Sequence, residues 1–307
     1  MNIISTMIHS LDMRDPSALP DIRRGSTIVV GSDYSGQHAT SAYESLAFVL
    51  ADIEHCQSWM VQRRKLRGVY LTDGRRFSYK ALRDKKLADV LLEFLSSANL
   101  IPGLLLVVLT RKTIESLFKS SGPIERNDPE IRSLAHWAPH VIEKLLRIVH
   151  FLSLFLAGLS REGQDVLWIT DEDDIVANLE KHQELTTTFG TISSYYLRHG
   201  LRHGRVVTTA SDTGKRDVED FVAVADLAAG ALCDILNTYL RGGALLTSGV
   251  ILPAPANLDD RSLNVLNWFS DSSYSLKRLV LTIEPVENST SLRIRHLMFH
   301  GSKLDLA

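Results

Sequence analysis

The sequence predicts an α/β fold with one mixed sheet, and two patterns carry that expectation. Short runs of β-branched and aliphatic residues alternate with longer stretches whose apolar residues recur at helical spacing. The first strands also follow one another closely, so the sheet should open with an antiparallel section before the crossover helices begin.

Residues 1–24 show no clear period and contain Pro16 and Pro20, so residues 1–25 read as a loosely attached arm. Residues 26–33 form a β-branched strand broken by Ser35-Gly36, and 43–51 read as a second strand. Helical spacing continues to Arg67, and Val69-Tyr70-Leu71 reads as a short strand before the Asp73-Gly74 turn. Leu82, Leu87, Val90, Leu91, Phe94 and Leu95 place a helix over 77–100, ended by Asn99 and Pro102-Gly103. The near-continuous apolar run 103–110 predicts a central strand covered on both faces. Residues 112–132 read as a loop or insertion, and 135–159 as a long apolar helix. Strands are expected at 165–170 and 205–210, with helices over 175–197 and 218–241. Residues 242–275 read as irregular, and 279–284 with 291–299 as a terminal hairpin. The expected organisation is an arm (1–25), one domain (26–241) with a helical insertion near 112–160, and a C-terminal extension (242–307) packed on that domain.

Composition is that of an ordinary globular chain, and 34 basic against 36 acidic residues give no global field that announces a polyanion binder. The N-terminus lacks the pattern of a signal peptide, and the longest apolar stretch, 145–159, is short of a membrane span, so no membrane partner is expected. Cys56 and Cys233 are far apart in apolar surroundings and read as small buried hydrophobes, which fits a cytoplasmic protein.

Three acids stand out by position. Asp33 and Asp171 each follow an apolar strand, and ligands of open α/β sheets lie off the carboxyl ends of strands. Asp226 sits in the apolar helical run Val222-Ala223-Val224-Ala225-Asp226-Leu227-Ala228-Ala229-Gly230, where a charge is costly unless paired or bound to a metal. Converging carboxylates need a cation, and Mg²⁺ or Mn²⁺ suits oxygen donors. The plainer reading is that a strand-end Asp forms a turn, that Asp171 to Asp174 cap the next helix, and that a salt bridge satisfies Asp226.

Strand–Asp33-Tyr34-Ser35-Gly36, the later strand ending in Asp171-Glu172, and the helix with Ala225-Asp226-Leu227-Ala228-Ala229-Gly230 resemble the RNase H-like superfamily. More narrowly, they resemble a prokaryotic group of uncharacterised domains with an Asp-x-Ser-Gly first strand and an Ala-Asp-Leu-x-x-Gly last helix. The resemblance spans roughly residues 26–240. It implies three antiparallel strands followed by alternating helices and strands, and metal-dependent phosphodiester chemistry. It also implies a nuclease holding Mg²⁺ or Mn²⁺ on Asp33, Asp171 and Asp226, with Glu172 as a neighbouring ligand. The implied partner is nucleic acid, DNA or RNA, with a homo-oligomer or a defence-system partner as further expectations. One departure is clear. Where the group places a further acid, this chain reads Arg75-Arg76-Phe77-Ser78-Tyr79-Lys80-Ala81-Leu82-Arg83-Asp84, leaving Asp84 or Asp89 as substitutes. A degenerate module that binds nucleic acid or protein without cleaving is therefore the alternative.

Arg75, Arg76 and Lys80, with Arg198 and Arg202, are the residues expected to contact phosphates, and Tyr195 or Tyr196 offers a stacking surface. A solvated helix face is the ordinary reading of such runs. His136 with His140, and His199 with His203, are spaced four apart but lack a zincin glutamate, so they read as a minor metal candidate. No Gly-x-Ser-x-Gly elbow, phosphate loop or dinucleotide fingerprint occurs, which leaves esterase, NTPase and dehydrogenase readings without support.

Overall fold

The computed structural model describes residues 2–119, 122, 124, 133–212, 214–242, 250–251, 257–271, 274–287, 289 and 291–299. Its strands are β1 (Thr27–Ser35), β2 (Tyr43–Asp52), β3 (Gly103–Arg111), β4 (Asp165–Thr170), β5 (His203–Thr208), β6 (Val250–Ile251), β7 (Leu276–Pro285) and β8 (Leu292–Phe299). Its helices are α1 (Asn2–Arg14), α2 (Gln57–Tyr70), α3 (Lys85–Ala98), α4 (Pro139–Leu159), α5 (Leu179–Tyr196), α6 (Glu219–Arg241) and α7 (Asp260–Phe269).

Strand order is β5-β4-β1-β2-β3-β7-β8, with the two-residue β6 beside β8. Strands β1, β2 and β3 form the antiparallel section, and β4 and β5 then add in parallel on the far side of β1. This is the α/β, RNase H-like arrangement: an antiparallel opening, then alternating helices and strands. Strand β7 extends the sheet in parallel beyond β3, and β8 pairs antiparallel to β7, so the C-terminal hairpin belongs to the same sheet.

The side-chain period of two divides the core cleanly. Val29, Ala47, Val49, Leu105, Val107 and Ile169 face a layer containing α2, α3, α6 and α7. Ile28, Val30, Phe48, Leu106, Val108 and Trp168 face α1, α4 and α5 on the other side. With both faces covered, β1 to β3 are buried along nearly their whole length, which is why β3 reads as a near-continuous apolar run. Helix α6 is long and apolar enough to cross a membrane, but 78% of that stretch is buried as a core helix on the sheet.

Several local expectations change. The N-terminal arm begins with helix α1, and Ile4 and Ile22 are buried against the α4–α5 layer. Val69-Tyr70-Leu71 is not a strand: α2 runs on through Tyr70, leaving Val69 and Tyr70 largely exposed. The segment read as irregular contains α7, capped by Asp259 accepting from the Ser262 N–H at 2.8 Å. Asn178, not the Asp171–Asp174 run, caps α5 by accepting from the Lys181 N–H at 2.8 Å. Most of the expected insertion, 120–121, 123 and 125–132, lies outside the described residues.

Candidate active site

The site forms where β1 and β4 end side by side. Their parallel register closes on Ser32 opposite Thr170, and Asp33 and Asp171 stand one residue further on. Odd-numbered residues of β1 face the α6 layer, so Asp33 points the same way as Val29 and Gly31. Helix α6 is held very close there: a Cβ at Gly31 would stand 2.6 Å from the Phe221 carbonyl carbon. From that contact, two strand residues advance about 6.6 Å and five helix residues about 7.5 Å. The two elements run alongside each other, so Asp226 arrives at Asp33. Further along, Gly36, at φ +82°, fits beneath Cys233 and the Tyr43 carbonyl, where any side chain would collide.

Asp33 and Asp226 share a hydrogen bond. Burial, with the charges of Asp226 and Asp171 adding, holds the Asp33 carboxyl well above the usual range. Burial also raises Asp226, to about 6, against the lowering effect of its bonds from Tyr79 N–H and Asp33. The two carboxyls titrate as a pair, and both are shifted toward the protonated form. Among the described residues no lysine, arginine or histidine bridges to either carboxyl.

Asp171 is held differently. It accepts from the Thr209 hydroxyl at 2.8 Å, and Arg76 Nη1 lies 3.5 Å away. Arg76 also pairs with the buried Glu219 at 2.8 Å. Glu172, the suggested extra ligand, is exposed and joins none of these groups. Asp84 caps α3 through the Lys86 and Leu87 N–H groups, and Asp89 pairs with Lys85 on the open face, so neither replaces the missing acid. Two acids nearby were not singled out from the sequence. Glu219 lies two helical turns before Asp226, a spacing that could have revealed it. Asp173 adds its charge to the Asp33 environment while bound by Lys144 at 2.6 Å.

The helix motif has a packing reason. The Asp226 carboxylate receives the Tyr79 N–H at 2.5 Å, and the Tyr79 ring lies against Gly230, where a Cβ would stand 2.3 Å from it. The Tyr79 hydroxyl bonds Ser262 at 2.5 Å and Asp234 at 2.8 Å. Tyr79 thereby pins the Arg75–Arg76 segment over the acids.

Arg75, Arg76, Lys80 and Arg83 line one shallow open basin with Asp73 and Asp84. Arg75 is paired with both of those acids, whereas Lys80 is exposed and makes no ion pair among the described residues. Arg202 is elsewhere: it pairs with Asp165 at the start of β4, a strand of six residues and about 20 Å from Asp171. Arg198 lies exposed just before that end of β5, so neither arginine shares the acid cluster. Tyr195 is exposed, and Tyr196 bonds His150 at 2.8 Å.

Two adjacent carboxyls, both raised chiefly by burial and without a cation among the described residues, fit a hard divalent ion, with Asp171 as the third donor. In the observed rotamers the three do not converge on one ion. Among the described residues only His136, Glu180 and Glu184 bring three ligand atoms within 4.8 Å of one another. That group is mostly exposed, and Glu184 also accepts from Trp137 Nε1 at 2.7 Å. His140 takes no part in it, and His199 and His203 bond Ser160 and Asp165 instead.

No family model and no curated protein matches the sequence. Solved structures similar to the chain include the ribonuclease H2 from Pyrococcus horikoshii OT3, at 13% identity over 78% of this chain and 85% of that one, with a TM-score of 0.35. The PCNA:RNase HII complex from Archaeoglobus fulgidus is similar at 13% identity over 78% and 86%, also with a TM-score of 0.35. Strand order and direction, rather than these superpositions, define the fold.

Proposed function

We propose that the protein is a metal-dependent phosphodiester hydrolase, a nuclease of RNase H-like type acting in the cytoplasm on DNA or RNA. One observation carries the reading: β1 and α6 bring Asp33 and Asp226 together at the carboxyl edge of the sheet, and among the described residues no side-chain cation pairs with either carboxyl. A bound Mg²⁺ or Mn²⁺ would supply Lewis acidity to a phosphodiester and favour ionisation of water at neutral pH. The chain's own part is to give up the shared proton, so that Asp33 and Asp226 offer two anionic oxygens, with Asp171 as the third. The Tyr79 N–H keeps Asp226 oriented. Lys80, with the Arg75 and Arg76 guanidinium groups, flanks the site with positive charge suited to a phosphate backbone.

Labelled single- and double-stranded DNA, RNA and RNA–DNA hybrid should be incubated with Mg²⁺, Mn²⁺ or EDTA. Cleavage should require the metal and fall at least about 100-fold in Asp33→Asn, the scale of losing a group that organises the reacting centre. Cleavage that survives in Asp33→Asn, or none with any substrate, defeats the reading. A binding module without catalysis is the second reading, favoured by the Arg76 guanidinium beside Asp171. It expects nucleic-acid binding that Asp226→Asn leaves unchanged and no uptake of metal by calorimetry.

A further inference from the structure

We propose that Arg76 is the resident counter-cation of the acid cluster, and that a divalent ion binds there only by displacing its guanidinium from Asp171. The proposal rests on the metal-site reading above and adds how that site is controlled.

Arg76 touches three groups: Glu219 Oε1 at 2.8 Å, Thr209 Oγ1 at 3.3 Å and Asp171 Oδ1 at 3.5 Å. The contacts are unequal. The Glu219 bond has the length of a strong charge-assisted pair, and its acceptor is buried. The Asp171 contact is long, and Asp171 is bound more closely by the Thr209 hydroxyl, at 2.8 Å. The guanidinium is thus anchored at Glu219 and only lightly engaged at Asp171. Among the described residues, Asp171 is also the one member of the trio that pairs with a cation of the protein itself. An ion seated on Asp33 and Asp226 has to draw Asp171 inward to gain a third oxygen, and that movement breaks the weaker of the two Arg76 ion pairs.

The released group has somewhere to go. The Arg76 side chain is 45% exposed, and it lines the same basin as Lys80, Arg75 and Arg83. Guanidinium binds phosphate oxygens two at a time, which suits a phosphodiester arriving at that edge. Arg76 therefore competes with metal while the site is empty of substrate, and turns to the substrate phosphate once metal is in place. Competition of this kind lowers the apparent metal affinity by the fraction of molecules in which Asp171 is engaged.

The test is Mn²⁺ binding to the full chain by titration calorimetry, at low ionic strength and without nucleic acid. The proteins are wild type, Arg76→Gln, Arg76→Lys and Asp226→Asn, each checked for folding by circular dichroism. Loss of the competing charge should tighten Mn²⁺ binding roughly tenfold in Arg76→Gln, the size of one partly screened ion pair. Arg76→Lys keeps the charge and should stay near wild type, which separates competition from a merely structural role. Arg76→Met serves with the same expectation should the glutamine variant not fold. Mn²⁺ binding seen only after Arg76 is neutralised also supports the proposal. Wild-type binding that Asp226→Asn abolishes but Arg76→Gln leaves unchanged or weakens overturns it, while the metal-site reading stands. No Mn²⁺ binding by wild type or either neutral variant overturns both.

Discussion

Helix α6 carries two acids of opposite character, Asp220 in its first turn and Asp226 further along. Asp220 is fully buried and receives Arg63 Nε at 2.6 Å and Arg67 Nε at 2.7 Å, with a further bond from Arg67 Nη2. Arg63 is itself fully buried and also reaches the Lys215 carbonyl at 2.6 Å and the Asp217 carboxylate. Among the described residues Asp226 has no side-chain cation and meets another carboxyl, Asp33. The same helix thus shows two answers to a buried charge. Where guanidinium groups satisfy the carboxylate, it becomes a structural clamp between α2 and α6 with nothing left to offer a ligand. Where no such cation is supplied, the group keeps a demand for one, which is why the proposed metal site is placed there.

Breaking the clamp should have the largest effect. Arg63→Ala together with Arg67→Ala strands Asp220 in the core, and loss of the partners of a buried charge costs at least about 3–5 kcal/mol. Urea unfolding followed by tryptophan fluorescence measures it. Asp33→Asn in the same experiment, without divalent metal, should change stability by less than about 1 kcal/mol or increase it, because the amide can still donate to Asp226 and carries no charge to bury. Similar losses in both variants would erase the distinction between the two acids.

The packing that delivers Asp226 is the next target. At Gly230 an added Cβ meets the base of the Tyr79 ring and its Cβ, which cannot swing away without moving the backbone. Gly230→Ala should destabilise by about 1–3 kcal/mol, the usual range for overpacking. The displaced Tyr79 should also release its N–H from Asp226, so hydrogen exchange at Tyr79 should speed up. Unchanged exchange would mean that the glycine serves packing alone.

Much of this was legible in the sequence because core strands covered on both faces must be continuously apolar. Residues 103–110 and 165–170 announced β3 and β4 for that reason, and Asp226 stood out because it interrupts an apolar helix. Local composition failed where tertiary context ruled. Val69-Tyr70-Leu71 has strand-like residues, yet α2 extends over the first two because the helix is already nucleated and its Leu66 and Arg67 are buried. Arg198 and Arg202 lie away from the acids, and sequence cannot foresee this because it does not say which end of a strand a neighbouring loop occupies. Arg202 follows α5 back to the start of β4, whereas Asp171 leaves its end. The substitution of a basic residue for the missing acid was visible at Arg76, but its contact with Glu219 and Asp171 depends on Tyr79 holding that segment on α6.

A proton held between Asp33 and Asp226 gives the effect that depends most sharply on pH. A carboxyl whose pKa is raised on folding binds its proton more tightly in the folded state, so its contribution to stability is complete below the unfolded value and is lost as pH rises through the folded one. For Asp226 that window runs from 3.8 to about 6, and Asp33, raised well above its ordinary value, extends it upward. Acids lowered by partners, such as Asp165 beside Arg202 and Asp73 beside Arg75, act in the opposite direction and below the window. His150 acts within it: burial lowers its pKa to about 4, so it adds stability as pH rises. The informative quantity is therefore the wild-type stability minus that of Asp226→Asn, measured by urea unfolding from pH 4 to 7 without divalent metal. It should fall by roughly 2–3 kcal/mol across that range, the equivalent of about two pKa units. Saturating Mn²⁺ should reverse the sign at the upper end, because an ion bound only to the folded wild type adds stability there. A difference that stays flat from pH 4 to 7 would mean that the two carboxyls hold no proton between them, and Asp226 would then be no more available to a cation than Asp220.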